Sequence, residues 1–227
     1  MSTPMPTQIV LVRHGETDWN RVKRIQGHLD IGLSATGREQ AQRLALHLSE
    51  RVRRGMRIDA IYSSDLARAR ETAQPLAHAL GQSIVPTPAL RERMYGAFQG
   101  YDPEQIRVRF PTEYVAWQTH DPQFAPAGGE SQQAFYERVT TALVGLAQRH
   151  VGQRIVAVAH GGVLDCAYRY ANRMPLATPR THALLNASVN VLDFDADGAR
   201  VIRWADIEHL ETSADDGLGD KVDPRVV

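Results

Sequence analysis

The sequence predicts an α/β fold: a three-layer, doubly wound, mostly parallel sheet with helices on both faces and a helical and loop excursion beside it. Three observations predict it. Short runs of apolar, β-branched residues alternate along the chain with longer stretches whose apolar residues recur at helical spacing. The two clearest runs, Gln8 to Val12 and Ile155 to Ala159, are continuously apolar, as strands covered on both faces are. Between residues 91 and 130 the periodicity breaks down over a stretch too long for a plain connection.

The elements follow in order. After the strand Gln8 to Val12, the T-x-x-E form of a capping box at Thr36 to Glu39 opens a helix whose inner face is Ala41, Leu44, Ala45, Leu48 and Val52; Gly55 ends it. Ile58 to Tyr62 is the next strand. Ser64 or Asp65 is placed to cap a second helix with the stripe Leu66, Ala69, Ala73, Leu76 and Leu80, stopped by Gly81. A short strand near Ser83 to Val85 leads into the excursion, which holds four prolines and scattered aromatics such as Tyr95, Phe98, Trp117 and Phe124. Ser131 starts another helix, carrying Phe135, Val139, Leu143 and Leu146. Ile155 to Ala159 then runs straight into His160-Gly161-Gly162 and a helix through Tyr170. Val189 to Phe194 and Arg200 to Trp204, joined by Asp195 to Gly198, close the chain as a pair of strands, antiparallel if that turn is a tight hairpin. One domain is expected over residues 1–211, with the aperiodic, acidic residues 212–227 as a frayed tail.

Composition narrows the function. The 227 residues suffice for a sizeable core without staples. Lys+Arg and Asp+Glu both number 26, so nothing pulls the chain as a whole toward nucleic acid or an anionic membrane, and any positive site must be local. The single cysteine, Cys166, permits no internal disulfide and fits a reducing compartment. MSTPMPTQ lacks the basic and apolar regions of a signal peptide, and no apolar run reaches the ~18 residues of a membrane span. The expectation is a cytoplasmic protein with neither nucleic acid nor membrane as partner. Asn186-Ala187-Ser188 matches a glycosylation sequon and is read as accidental.

The chemistry-bearing residues gather at strand ends. In open α/β sheets ligands sit outside the carboxyl ends of the strands, where loops converge. Arg13 and His14 follow the first strand; Ser63, Ser64, Asp65 and Arg68 follow the second; His160 and two glycines follow Ile155 to Ala159. Taken singly, each histidine is a hydrogen-bonded loop residue and each arginine a solvated charge. Together they place four side chains that can be cationic at one edge, which like-charge repulsion makes unfavourable unless a bound anion compensates. A phosphoryl group suits guanidinium forks. No G-x-G-x-x-G, P-loop, H-E-x-x-H or G-x-S-x-G pattern occurs, the nine histidines lack metal-ligand spacing, and no acidic cluster suggests magnesium, so metal-free chemistry is expected.

Leu11-Val12-Arg13-His14-Gly15-Glu16-Thr17, with Trp19 and Asn20 behind it, resembles the signature of the histidine phosphatase superfamily, the family of cofactor-dependent phosphoglycerate mutases and related phosphatases. Gly27 and Asp30, Ser63 to Ala69, Leu90-Arg91-Glu92 with Tyr95 to Gly100, and Ala159 to Gly162 resemble its further motifs, in order, over roughly residues 8 to 205. The resemblance implies His14 as nucleophile, with one ring nitrogen donating to a carbonyl near Gly15. It implies Arg13, Arg68 and His160 as clamps on the phosphoryl oxygens, and Glu92 as the acid that protonates the leaving oxygen and then activates water. The plain alternative for Glu92 is an ion pair with Arg91 or Arg93. Asn20, Gln26, Gly27, Tyr95 and Gly161 complete the implied substrate-binding set, and the excursion, 91–130, becomes a lid over the active site.

Within the family, water accepts the phosphoryl group in phosphatases and a second phosphorylated metabolite does in mutases. The excursion lacks the adjacent arginine pair of the mutases, since Arg107-Val108-Arg109 is interrupted; Gln26, His160-Gly161-Gly162 and Ala127 to Ser131 also resemble the phosphatases. Glu92 to Gly96 resembles the mutase form. The expectation is a metal-independent phosphomonoester hydrolase acting through a phosphohistidine on a small phosphorylated metabolite, with no cofactor. The alternatives are a phosphoglycerate mutase, which would need 2,3-bisphosphoglycerate, and below it a non-catalytic phospho-ligand binding protein. Oligomeric state is not readable, and a homodimer stays open.

Overall fold

A computed structural model of the protein describes residues 5–211. Its six strands, β1 (Thr7–Arg13), β2 (Ala60–Ser63), β3 (Ile84–Pro86), β4 (Arg154–Ala159), β5 (Val189–Asp195) and β6 (Gly198–Asp206), form one sheet in the order β3-β2-β4-β1-β5-β6. Strands β1 to β4 pair in parallel; β5 runs antiparallel to both β1 and β6. The helices are α1 (Asp18–Arg21), α2 (Ala35–Arg53), α3 (Ala67–Leu80), α4 (Pro103–Arg109), α5 (Pro111–Gln118), α6 (Gln132–Arg149) and α7 (Gly161–Asn172).

Period-two geometry explains why β1 from Ile9 to Val12 and β4 from Ile155 to Ala159 are continuously apolar. Ile9, Leu11, Ile155 and Ala157 face α6 and α7, packing with Leu143, Leu146, Val163 and Ala167. Val10, Val12, Val156 and Val158 face α2 and α3, packing with Leu44, Leu48, Ala73 and Leu76. The sheet is thus the middle of three layers, and its central strands meet apolar side chains on both sides.

Helix starts differ from the sequence expectation. Ser34, not Thr36, caps α2, its hydroxyl accepting from Gly37 N at 3.0 Å. Neither Ser64 nor Asp65 caps α3. The Ala67 N–H is taken instead by Asp30 Oδ1 at 2.6 Å, across 37 residues. Ser64 is committed to His160, and Asp65 to an ion pair with Arg91. Strand β1 also runs one residue further than expected, so Arg13 lies in the sheet.

The excursion carries α4 and α5 around its own aromatic cluster. Phe98, 1% exposed, meets Phe110, Trp117 and Phe124 at ring-centroid distances of 5.6, 5.6 and 6.4 Å. Trp117 and Phe124 are therefore packing residues. The tail expected at 212–227 lies outside the described residues. Among the described residues no helix is long and apolar enough to cross a membrane.

Replacing Leu44, fully buried between α2 and the sheet, with alanine is expected to lower unfolding free energy by about 2–5 kcal/mol. Leu46→Ala, on the exposed face of the same helix, should change it by no more than about 0.5 kcal/mol. Urea titration of both variants checks the difference.

Candidate active site

Strand register brings the motifs level. Arg13 pairs with Ala159 and Ser63 with Val158, so β1, β4 and β2, three neighbours, end at the same edge. There His14 N donates to Ala159 O and Ser64 N to Val158 O, both at 2.9 Å, continuing the ladder for one more residue. Arg13 and His14 arrive from β1, Ser64 and Arg68 from the turn after β2 and the start of α3, and His160 from β4, where it is the N-cap residue of α7. Glu92 comes from the beginning of the excursion and reaches α7, accepting from Gly162 N at 3.0 Å and from Arg93 N at 2.8 Å.

His14 is 3% exposed, and its Nδ1 lies 2.6 Å from Gly15 O, so this nitrogen carries the proton and donates it. Nε2 has no hydrogen-bond partner among the described residues and keeps its lone pair. The His160 ring lies 5.2 Å from that of His14, centroid to centroid. His160 Nδ1 accepts from Arg68 Nε at 3.2 Å, which leaves Nε2–H to donate to Ser64 Oγ at 2.8 Å. Arg68, 1% exposed, also donates from Nη1 to Leu29 O at 2.9 Å and from Nη2 to Gly27 O at 2.7 Å. Three of its five N–H groups are so used, leaving one on each Nη. Arg13 donates from Nη1 to Leu184 O, while its buried Nε has no partner among the described residues.

The electrostatics follow from burial. Burial lowers the pKa of both His14 and His160 well below the usual histidine value, and the neighbouring Arg68 and Arg13 charges push the same way. Both imidazoles are neutral at pH 7. Burial also lowers Arg13 and Arg68 to about 10, partly offset by Glu92, and both stay charged. Two buried guanidiniums face one carboxylate, and the exposed Asp30 and Arg180, which act on Arg68 and Arg13 with opposite signs, leave the pocket's net positive charge in place. Burial, and then the Glu92 charge, raise the Tyr95 hydroxyl, which remains protonated.

Arg13, His14, Arg68, Glu92 and His160 come together. The other candidates divide. Gln26 is buried with Oε1 unpartnered among the described residues. Asn20 Oδ1 is committed to the N–H and hydroxyl of Thr17, both at 2.9 Å, in the capping box of α1. Gly27 contributes its carbonyl to Arg68 and needs a positive φ of 53°, where a Cβ would stand 2.1 Å from Gln99 Oε1. Gly161 opens α7 beside Arg13. Neither Arg91 nor Arg93 takes the Glu92 carboxylate: Arg91 holds Asp65, and the Arg93 guanidinium donates to the carbonyls of Phe124 and Glu130.

Several contributors escaped the sequence reading. Asn186, taken as an accidental sequon, donates to His14 O at 3.0 Å. Arg138 holds the Glu92 segment by donating to the carbonyls of Ala89, Arg91 and Glu92, and is paired with Glu130. His28 Nε2 lies 2.8 Å from Glu92 O. Among the described residues no group of three or more His, Cys, Asp or Glu is placed to hold a metal.

The profile of the Histidine phosphatase superfamily (branch 1) matches residues 9–207. The chain belongs to the histidine phosphatase superfamily. It is 44% identical over 207 residues to a "Phosphoglycerate mutase-like protein 4" of Arabidopsis thaliana, a match covering 90% of this chain and 87% of that one. With a "Metal-independent phosphoserine phosphatase" of the same plant it shares 37% identity over 208 residues, 91% of this chain and 84% of the relative. The solved structure of Bacillus stearothermophilus YhfR superposes with a TM-score of 0.80 at 30% identity, covering 90% of this chain and all of that one. This histidine phosphatase is an enzyme, and its sheet with helices on both faces is the fold of the superfamily's solved members.

Two outcomes are expected. An alanine Cβ at position 162 would stand 2.2 Å from Glu92 Oε1 and 2.8 Å from the buried Phe135 ring, so Gly162→Ala should displace the carboxylate and cut kcat/KM on the order of 100-fold. Gly145→Ala in α6, where a Cβ meets only ordinary contacts, should leave steady-state kinetics unchanged. Second, His14 and His160 stay neutral when folded but take up protons when unfolded below pH about 6.5, so the unfolded chain binds more protons there. Stability should fall as pH drops from about 6.5, by up to about 1.4 kcal/mol per pH unit for each histidine. Urea midpoints between about pH 7.5 and 5 measure this, and a flat profile would contradict it.

Proposed function

We propose that this protein hydrolyses small phosphomonoesters without a metal, through a phosphohistidine at His14. The observation that carries the reading is a neutral imidazole, anchored through Nδ1 with Nε2 free, beside two buried guanidiniums that one carboxylate does not balance. A phosphoryl dianion supplies the missing charge, and Nε2 supplies the electron pair. As the phosphoryl dianion binds beside it, the Glu92 carboxylate takes up a proton from solvent; in the first step Nε2 attacks phosphorus, the bond to the leaving oxygen breaks, and Glu92 gives that oxygen this proton. In the second, water attacks the phosphohistidine, Glu92 takes the water's proton, the P–N bond breaks, and His14 is neutral again.

Each residue's part follows from what it has left to offer. Arg13 has an unpartnered Nε–H for an equatorial oxygen, and Arg68 one N–H on each Nη. His160 fixes Arg68 through Nδ1 and stands at the side of His14. Gln26 lies buried within the substrate-binding set, while Asn20, with Oδ1 held by Thr17, has its amide N–H groups to give. Tyr95, protonated, offers a hydroxyl near Glu92, and Gly161 stands beside the Arg13 guanidinium at the start of α7. The excursion, residues 91–130, serves as lid within a domain ending near residue 211. The name of the phosphoserine phosphatase relative supports both hydrolysis and independence of metal. A sugar phosphate, a phosphoglycerate or a nucleoside-type ester each meets these requirements, and no cofactor is called for. A buried single cysteine suits a reducing, cytoplasmic setting.

Transfer to a second phosphorylated metabolite is disfavoured because the excursion has no adjacent arginine pair for a second anion, Arg107-Val108-Arg109 being interrupted. Arg107 is paired with Glu104, and Arg109 lies over the Tyr101 ring at 4.8 Å. His14→Ala is expected to abolish release of phosphate from p-nitrophenyl phosphate and formation of an acid-labile phosphoenzyme, both read with radiolabelled substrate. Turnover retained in that variant would overturn the mechanism. Efficient interconversion of phosphoglycerates primed by 2,3-bisphosphoglycerate, with little free phosphate, would overturn hydrolysis.

A further inference from the structure

The segment joining α7 to β5, residues 173–188, crosses directly over the nucleophile strand. Leu184 O accepts from Arg13 Nη1; Asn186 Nδ2 and Ala187 N both donate to His14 O, at 3.0 and 3.2 Å. Most of its outer residues are exposed, Arg180, Thr181 and Ala183 among them, yet the His182 side chain between them is only 3% exposed.

That histidine is fastened to α7 and β6. Its ring stacks on Tyr168 at 3.9 Å between centroids and 21° between planes, and Trp204 meets it edge-on at 5.7 Å. His182 Nε2 lies 3.0 Å from Asp165 Oδ1, an oblique approach that is electrostatic more than a directed hydrogen bond. Asp165 also takes Arg169 Nε at 2.8 Å, and Arg169 Nη1 donates to Pro175 O and Thr178 O of the same segment, at 2.7 and 3.0 Å. Trp204 Nε1 donates to Ala183 O at 2.9 Å. Burial raises the Asp165 carboxyl, but His182 and Arg169 outweigh it and hold the group below the usual aspartate range. The ties at His182 and Ala183 lie within two residues of Leu184, whose carbonyl is what holds the Arg13 guanidinium, and those at Pro175 and Thr178 fasten the start of the same segment.

We propose that Asp165 and His182 form a latch that positions Arg13: by fixing the Leu184 carbonyl they set the guanidinium's orientation, so that Nε and the free N–H groups face the phosphoryl oxygens. The inference rests on Arg13 as a phosphoryl clamp. Neither latch residue touches the reacting atoms; both are positioning residues. A backbone carbonyl suits the task because it orients the cation without cancelling its charge, whereas a carboxylate there would neutralise the clamp. A carbonyl on a connecting segment needs fastening, and the buried pair supplies it.

The test is a double-mutant cycle read as kcat/KM on p-nitrophenyl phosphate, with orthovanadate inhibition and thermal melting of each variant. His182→Ala is expected to lower kcat/KM about tenfold, chiefly in kcat, and to weaken orthovanadate by a similar factor. His182→Gln, which keeps a polar N–H to set against the Asp165 carboxylate, should recover most of the loss, and Asp165→Asn should repeat the His182→Ala pattern should that variant not fold. In an Arg13→Lys background, where no Nη1 remains to be held, His182→Ala should cost nothing more. A wild-type rate in His182→Ala, an equal loss in the Arg13→Lys background, or no recovery with glutamine would overturn the latch. A wild-type rate in Arg13→Lys would instead remove the clamp reading, and the latch with it.

Discussion

Two guanidinium groups buried beside two imidazoles, with one carboxylate to balance them, are the constraint on which this structure turns. Charges of one sign crowded out of water repel, and burial strengthens the repulsion. Both histidines yield by staying neutral, while the arginines, far too basic to yield at pH 7, stay charged. The surplus positive charge that results is what a phosphoryl group comes to satisfy, and the neutral His14 is what can attack it.

The scaffold holds these cations by a particular means. Leu29 O and Gly27 O take Arg68, and Leu184 O takes Arg13, while Gly15 O takes the His14 proton. Neutral oxygens orient the donors and leave their charge available. Three arginines with structural work are held differently: Arg91, Arg138 and Arg169 are each paired with a carboxylate. The one carboxylate in the site, Glu92, is spared such a pairing because Arg138 grips the carbonyls around it and Gly162 N reaches its oxygen from the start of α7, a helix end that favours negative charge.

Much of this was legible in the sequence, for physical reasons. Strands covered on both faces must be continuously apolar, so β1 and β4 announced themselves, and the residues that follow them could be placed at one edge before any geometry was known. Contacts that depend on a distant partner were not legible. The capping of α3 by Asp30 leaves no local signal, because the acceptor comes from another loop and the local candidate, Ser64, was needed by His160. Carbonyl acceptors carry no side-chain signature, so Leu184 and Gly27 as arginine holders were invisible. Asn186 was visible but looked like a chance sequon. His160 read as a direct clamp, whereas in the structure both of its nitrogens already have protein partners.

The chemistry of this site depends on the protonation state and tautomer of His14. Nitrogen-detected NMR of the imidazoles, titrated across pH in the phosphate-free enzyme, measures both at once. His14 is expected to stay neutral below the pH at which an ordinary histidine takes up its proton, with its own proton on Nδ1 and a bare Nε2. A His14 that is protonated at pH 7, or neutral with the proton on Nε2, would contradict it.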